Sequence, residues 1–271
     1  MSSNLQRSYL FVPGNRPERF AKACAAGADV VIVDLEDAVP PAEKAAARKS
    51  VAAWANPAQP VLVRINAAES AWFREDLQLC AHPGVAGIVL PKAEHAKDIA
   101  ELAQAGAAAV LPLIESALGF ANAQALAKAP KVQRLLFGSI DFQHDLGICG
   151  EYEELLYFRS QLVLVSRLAD VQPPVDGVTT AIDDSELLRS DTHRARRLGF
   201  GGKLCIHPRQ VPAVNQGFQP SEEEVEWAQR VLAAADSSQG AAVAVDGKMV
   251  DLPVILKARQ IIEEAGRRAV G

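Results

Sequence analysis

Apolar runs of strand length alternate with amphipathic segments along most of this chain. Runs at Ser8 to Val12, Asp29 to Asp34, Val61 to Ile65, Gly87 to Leu90, Ala109 to Ile114, Arg134 to Phe137, Val175 to Val178 and Lys203 to Ile206 predict eight strands. Ala-rich or charged segments with helical spacing separate most of them, among them Arg16 to Ala26, Pro41 to Trp54, His95 to Ala105 and Asp184 to Leu198. The strand runs are apolar enough to be covered on both faces, as parallel strands packed among helices are. Eight such strands, each followed by a helix, predict a closed (β/α)8 barrel of the TIM type, with an open doubly wound sheet as the alternative. Against the open sheet, no G-x-G-x-x-G follows the first strand, where Phe11-Val12-Pro13-Gly14-Asn15-Arg16 stands instead.

Polar residues gather where the strands end: Asn15-Arg16, Asp34-Leu35-Glu36-Asp37, Arg64-Ile65-Asn66, Lys92, Glu115, Asp141, Asp176 and His207. In a barrel that end is the one that carries chemistry. Val110 to Ala117 and Leu135 to Phe142 are apolar runs that end on carboxylates, Glu115 and Asp141. A carboxylate left dry costs several kcal/mol unless a cation or hydrogen bonds compensate it. Two of them at neighbouring strand ends, offering oxygen ligands alone, suit a magnesium ion that keeps positions open for water and substrate. Each has a plainer alternative: Glu115 in an ion pair with a lysine, and Asp141 as a cap on the following helix.

Beyond the eighth strand, Pro220-Ser221-Glu222-Glu223 opens a helix that runs to about Ala235, with Ser221 as its cap. Ser237 to Ala242 reads as a connector, Val243 to Val254 as a hairpin turning at Asp246-Gly247, and Leu256 to Arg268 as a final helix. A barrel does not require this extension. The predicted division is a barrel over 1–235 and an extension over 236–271 that covers an active-site mouth, its own or a neighbour's.

Composition narrows the function classes. With 271 residues and 49% hydrophobic content, the chain can bury a full core. A net charge of −5 with 28 scattered Lys and Arg residues predicts no nucleic-acid partner. Cys24, Cys80, Cys149 and Cys205 form no C-x-x-C pair, which points away from zinc and disulfides and toward a reducing cytoplasm. The short polar stretch from Met1 to Arg7 predicts no export, and no apolar run suggests a membrane span.

The motifs Tyr9-Leu10-Phe11-Val12-Pro13-Gly14, Asp34-Leu35-Glu36-Asp37-Ala38-Val39, Arg64-Ile65-Asn66, Leu90-Pro91-Lys92, Ile114-Glu115-Ser116, Ile206-His207-Pro208 and Asp246-Gly247-Lys248-Met249-Val250-Asp251 occur in one order. In that order and spacing the chain resembles the citrate lyase β-subunit family of the aldolase and citrate lyase superfamily. The resemblance implies a magnesium-dependent barrel with Glu115 and Asp141 as metal ligands and Arg64 as a substrate-binding residue. It also implies carbon-carbon bond cleavage or formation beside a CoA thioester, as when citryl-CoA gives acetyl-CoA and oxaloacetate; malyl-CoA and citramalyl-CoA are close analogues. Where the family often carries an acidic residue just before the second ligand, this chain has Ile140.

Such a cleavage moves one proton off a hydroxyl and builds negative charge on a thioester enolate. Arg64, also assigned a catalytic role, offers a fixed fork to a carboxylate or thioester oxygen, and Asp251 is the candidate base, which the resemblance places at a neighbouring subunit's site. Glu36 and Asp37 are candidates to orient Arg64 or to hold water on the metal. Lys92 reads as a phosphate or carboxylate contact, and His207 as a strand terminator. A homotrimer in which each tail lids the next subunit follows from the extension and the resemblance. Two other functions stay open: a metal-dependent aldolase of free 2-oxo acids, and a subunit working only in a citrate lyase assembly with an acyl carrier protein.

Overall fold

Eight parallel strands close into a barrel in the computed structural model, which describes residues 6–237 and 243–266. They are β1 (Ser8–Pro13), β2 (Val30–Asp34), β3 (Val61–Arg64), β4 (Val85–Leu90), β5 (Val110–Ile114), β6 (Arg134–Phe137), β7 (Gln172–Asp176) and β8 (Gly202–Cys205). Neighbours in sequence are neighbours in space, and β8 pairs back onto β1 with Tyr9 opposite Leu204. The predicted barrel is therefore the fold, and the open sheet is excluded.

Alternation along the strands decides which side chains reach the interior. Tyr9, Ile32, Leu62, Leu113, Leu136, Val175 and Leu204 belong to one buried cluster inside the barrel. Two residues further along the same face come Asp34, Arg64, Glu115, Gly138 and Ile206, and all five line one cavity. Asp176 follows Val175 directly and so points the other way, to Arg159 on the helix Glu153–Leu168.

The start of β7 and the stretch after β6 differ from the sequence pattern. β7 starts at Gln172 and runs through Pro173 and Pro174. Prolines lack the ladder N–H and mask a strand in sequence, but here their carbonyls are used: Arg134 Nε donates to Pro173 O at 2.8 Å and Gly201 N–H to Pro174 O at 2.9 Å. β6 stops at Phe137, and Ser139–Leu146 is a helix, so Asp141 stands in a first helical turn and not at a strand end. Gly138 makes this turn possible, because a Cβ there would lie 2.5 Å from Glu115 Cβ.

The described residues divide into two compact units between Asn215 and Gln216, earlier than the predicted boundary at 235. The reason lies in the helix Glu222–Ser237, whose Ala228, Val231 and Ala235 pack with Val250, Ile255, Ala258 and Ile261 of the extension. Ser221 and Glu224 cap that helix reciprocally, Glu224 N–H on Ser221 Oγ at 3.1 Å and Ser221 N–H on Glu224 Oε2 at 2.8 Å. The hairpin pairs β9 (Val243–Val245) with β10 (Lys248–Val250), and the last helix, Leu252–Gly266, begins four residues before its predicted start. Pro253 falls in the first helical turn, where its missing N–H costs nothing. Apart from Ser237, the predicted connector lies outside the described residues. Among the described residues no helix is long and apolar enough to cross a membrane.

Candidate active site

The cavity at the strand C-termini has a volume of about 420 Å³ and brings Arg64, Glu115 and Asp141 together. Arg64 is the better anchored. Its Nε and Nη2 donate to the two oxygens of Asp34 at 2.7 and 2.6 Å, across the register in which Asp34 pairs with Arg64. Its Nη1 lies 3.0 Å from Glu36 Oε2 and 3.3 Å from Asp37 Oδ2. The Glu36 contact has ion-pair distance without hydrogen-bond alignment, so that buried oxygen has no hydrogen-bond partner. The guanidinium also stacks 4.9 Å from the Phe11 ring centroid. Burial opposes the charge on Arg64, but the hydrogen bonds and charge of Asp34, with Glu36 and Asp37, outweigh it and raise its pKa. The group stays a cation with its fork held in place.

Glu115 has a different environment. It follows β5 directly, is 4% exposed, and accepts one hydrogen bond, from the Lys92 main-chain N–H at 2.7 Å. Lys92 adopts φ of 45°, the left-handed region that side-chain-bearing residues seldom occupy, and this turns its N–H onto the carboxylate. Neither Glu115 nor Asp141 forms an ion pair with a basic side chain among the described residues. Burial first, and then the charge of Glu36, push the Glu115 carboxyl up to about 8, against the Lys92 hydrogen bond; Asp141 adds to the rise. Glu36 is pushed up to about 7, by burial against the pull of Arg64.

The elements that carry the two carboxylates are tied to one another. Ser116 caps the helix Ala117–Ala121 through its Oγ, 3.1 Å from Gly119 N, and the Ala117 N–H donates to Asp145 Oδ2 at 2.7 Å. Asp145 belongs to the helix Ser139–Leu146 that also bears Asp141. That helix is fixed from behind by Phe142, whose ring lies 4.8 Å from Phe158 and 5.4 Å from Phe137. Two carboxylates without a cation, presenting only hard oxygen donors, fit a divalent ion that completes its coordination with water and ligand. No group of three or more His, Cys, Asp or Glu among the described residues is arranged to hold a metal by itself.

The remaining predicted residues fall in different places. Lys92 contributes its main chain to Glu115, and its side chain is exposed and does not line the cavity. Asp251 lies in the second unit, where its Oδ1 is 3.4 Å from the Val254 N–H at the start of the last helix. His207 Nδ1 accepts from the Arg209 N–H at 3.2 Å and caps a turn. Asp34 is the partner that the sequence alone did not assign to Arg64. Strand alternation could have found it, because Asp34 is two residues beyond Ile32 on the inward face.

A family model described as HpcH/HpaI aldolase/citrate lyase matches residues 7–208. A citrate lyase subunit beta-like protein of Deinococcus radiodurans is 39% identical over 278 residues, covering 95% of this chain and 96% of its own. A (3S)-malyl-CoA thioesterase of Cereibacter sphaeroides is 36% identical over 273 residues, covering 96% of this chain and 94% of its own. Among solved structures, that of CitE from Mycobacterium tuberculosis in complex with magnesium, acetoacetate and coenzyme A superposes with a TM-score of 0.88 at 37% identity. The match covers 97% of this chain and 98% of that one.

Proposed function

The chain belongs to the HpcH/HpaI aldolase/citrate lyase family, and from that premise we propose that it is a magnesium-dependent carbon-carbon lyase acting on a 3-hydroxyacyl-CoA thioester of the citryl, malyl or citramalyl kind. The observation that carries this proposal is a single cavity in which Arg64 is fixed by acids while Glu115 and Asp141 form no ion pair with a basic side chain among the described residues. The magnesium in the CitE complex supports the choice of ion. Held by Glu115 and Asp141, magnesium would supply Lewis acidity toward the substrate's hydroxyl and carboxylate oxygens.

The chain's own groups do the rest. Arg64 gives two of its five N–H donors to Asp34 and holds Nη1 in ion-pair contact with Glu36 and Asp37 without a hydrogen bond to either, so its remaining N–H groups can turn to a carboxylate or to a thioester oxygen as charge grows there. In cleavage the hydroxyl proton leaves to a base, the carbon-carbon electron pair passes to the thioester enolate, and the enolate takes up a proton to give acetyl-CoA. Asp251 of a second copy in a homotrimer is the proposed base, supported by the family resemblance of the tail. Asn caps a helix as well as Asp does, so Asp251→Asn preserves the cap. Its turnover should fall at least about 100-fold with magnesium affinity unchanged.

The malyl-CoA thioesterase relative favours a second reading, hydrolysis of the thioester at the same cavity. The products separate the two. Purified chain is given citryl-, malyl- and citramalyl-CoA, with magnesium and then with chelator. Chelator-sensitive release of acetyl-CoA and a 2-oxo acid is the expected result, whereas free CoA with an intact hydroxy acid would establish hydrolysis. Silence on every ester would move the function to a free 2-oxo acid aldolase or to a subunit that needs its assembly.

A further inference from the structure

The charged groups of the cavity are confined to one part of its rim. All of them come from β2 and its following turn, β3, the end of β5 and the helix after β6. The arc from β7 through β8 to β1 contributes Val178, Leu204, Ile206, Phe11 and Pro13, with Ile140 adjoining it. Leu204 lies in the barrel's buried core and forms a floor, but Ile140 and Ile206 are 39% and 38% exposed. The fold leaves these two large apolar side chains partly in water at the edge of a charged site, where an apolar ligand group would cover them.

The balance of charge gives the same indication. Among the described residues that line the cavity, Arg64 is the one basic side chain, and Asp34, Glu36 and Asp37 already meet it. A cation held by Glu115 and Asp141 would serve the hydroxyl and one carboxylate of the substrate. Nothing on the apolar arc could pair with a further carboxylate, which would have to be desolvated without compensation.

We propose that Ile140, Val178 and Ile206 form the surface that selects the acyl group, receiving a small alkyl substituent on the carbinol carbon and disfavouring one that bears a second carboxylate. The proposal rests on the lyase function above and narrows it. The preferred acyl group is one whose cleavage yields a 2-oxo acid with an apolar side chain. A methyl group placed in an apolar pocket contributes about 10- to 200-fold in discrimination.

The test measures binding and not turnover. Glyoxylate, pyruvate and oxaloacetate are titrated calorimetrically into the magnesium-loaded chain; they differ at the relevant position by hydrogen, methyl and carboxymethyl. Pyruvate should bind at least about 10-fold more tightly than glyoxylate and more tightly than oxaloacetate. Ile206→Lys and Ile140→Lys, both at exposed positions that tolerate a charge, should shift the preference toward oxaloacetate. Oxaloacetate or glyoxylate binding as tightly as pyruvate to the unaltered chain would overturn the proposal, as would an unchanged order in both variants. A chain that sorts the acids as proposed yet cleaves no CoA ester would keep this surface and lose the lyase function. One that cleaves citryl-CoA faster than citramalyl-CoA would keep the lyase and lose the surface.

Discussion

Glu115 and Asp176 are both carboxylates at the C-terminal ends of parallel strands, and both are almost wholly buried. Asp176 faces outward from β7 and meets Arg159 Nε at 2.8 Å and Lys203 Nζ at 3.8 Å. Burial alone would push its carboxyl up, but the charges of Lys203 and Arg159 hold it below the usual carboxylate range. Glu115 faces inward, has no basic partner among the described residues, and is pushed up to about 8. Strand parity therefore separates a carboxylate that the fold has neutralised from one that is still short of a cation. The first holds β7 and β8 to a helix, and the second is the proposed seat of the metal.

Removing the neutralised member should have the largest effect on stability. Asp176→Ala leaves Arg159 and Lys203 buried without their anion, at a cost of about 3–5 kcal/mol in denaturant unfolding. The acid side has a definite sign. The folded carboxyl lies below the ~3.9 of an unfolded aspartate. Its contribution is thus present above about pH 4 and lost as pH falls through the folded value, and the variant should lack that loss. Wild-type stability in Asp176→Ala would mean that the cluster is not a structural tie.

The next test exchanges the cation of the mouth. Arg64→Lys keeps the charge and loses the paired contact with Asp34, so kcat/KM should fall about 10- to 100-fold while unfolding is little changed. A large loss of stability with normal kcat/KM would place Arg64 with Arg159, as a structural cation. The smallest effect is expected from Asp34→Asn, which keeps Arg64 charged and keeps one acceptor oxygen. KM should rise less than about tenfold, with magnesium affinity intact. A loss of magnesium binding in that variant would show that the two acid groups of the mouth are not independent.

The barrel was legible because each strand run is apolar and each following helix has its own period. What failed did so for local reasons. Pro173 and Pro174 hid the start of β7, since a proline reads as a break wherever its missing N–H is not needed. The apolar run from Leu135 to Phe142 puts Asp141 at a strand end, and only the close approach of Gly138 to Glu115 shows why the chain turns into a helix before it. Glu115, Asp141 and Arg64 stand out in sequence as strand-end candidates, but nothing there tells on which side of the wall a polar residue lies. Asp34 and Asp176 differ in role because one continues the face of Ile32 and the other abuts Val175 on the opposite face, a distinction that needs the register. The backbone role of Lys92 had no signal, because its side chain drew attention to an amine that the cavity does not use.

The central claim is that Glu115 and Asp141 lack a cation and receive a magnesium ion. It is tested most directly by calorimetric titration of magnesium into the metal-free chain and into Glu115→Gln and Asp141→Asn. The unaltered chain should bind one ion. Each variant should lose at least about 100-fold in affinity, and Glu115→Gln should unfold no more easily than the metal-free parent, because a neutral amide replaces a carboxyl whose burial already disfavours its charge. Magnesium affinity unchanged in both variants, or a Glu115→Gln chain destabilised as much as Asp176→Ala, would contradict the account.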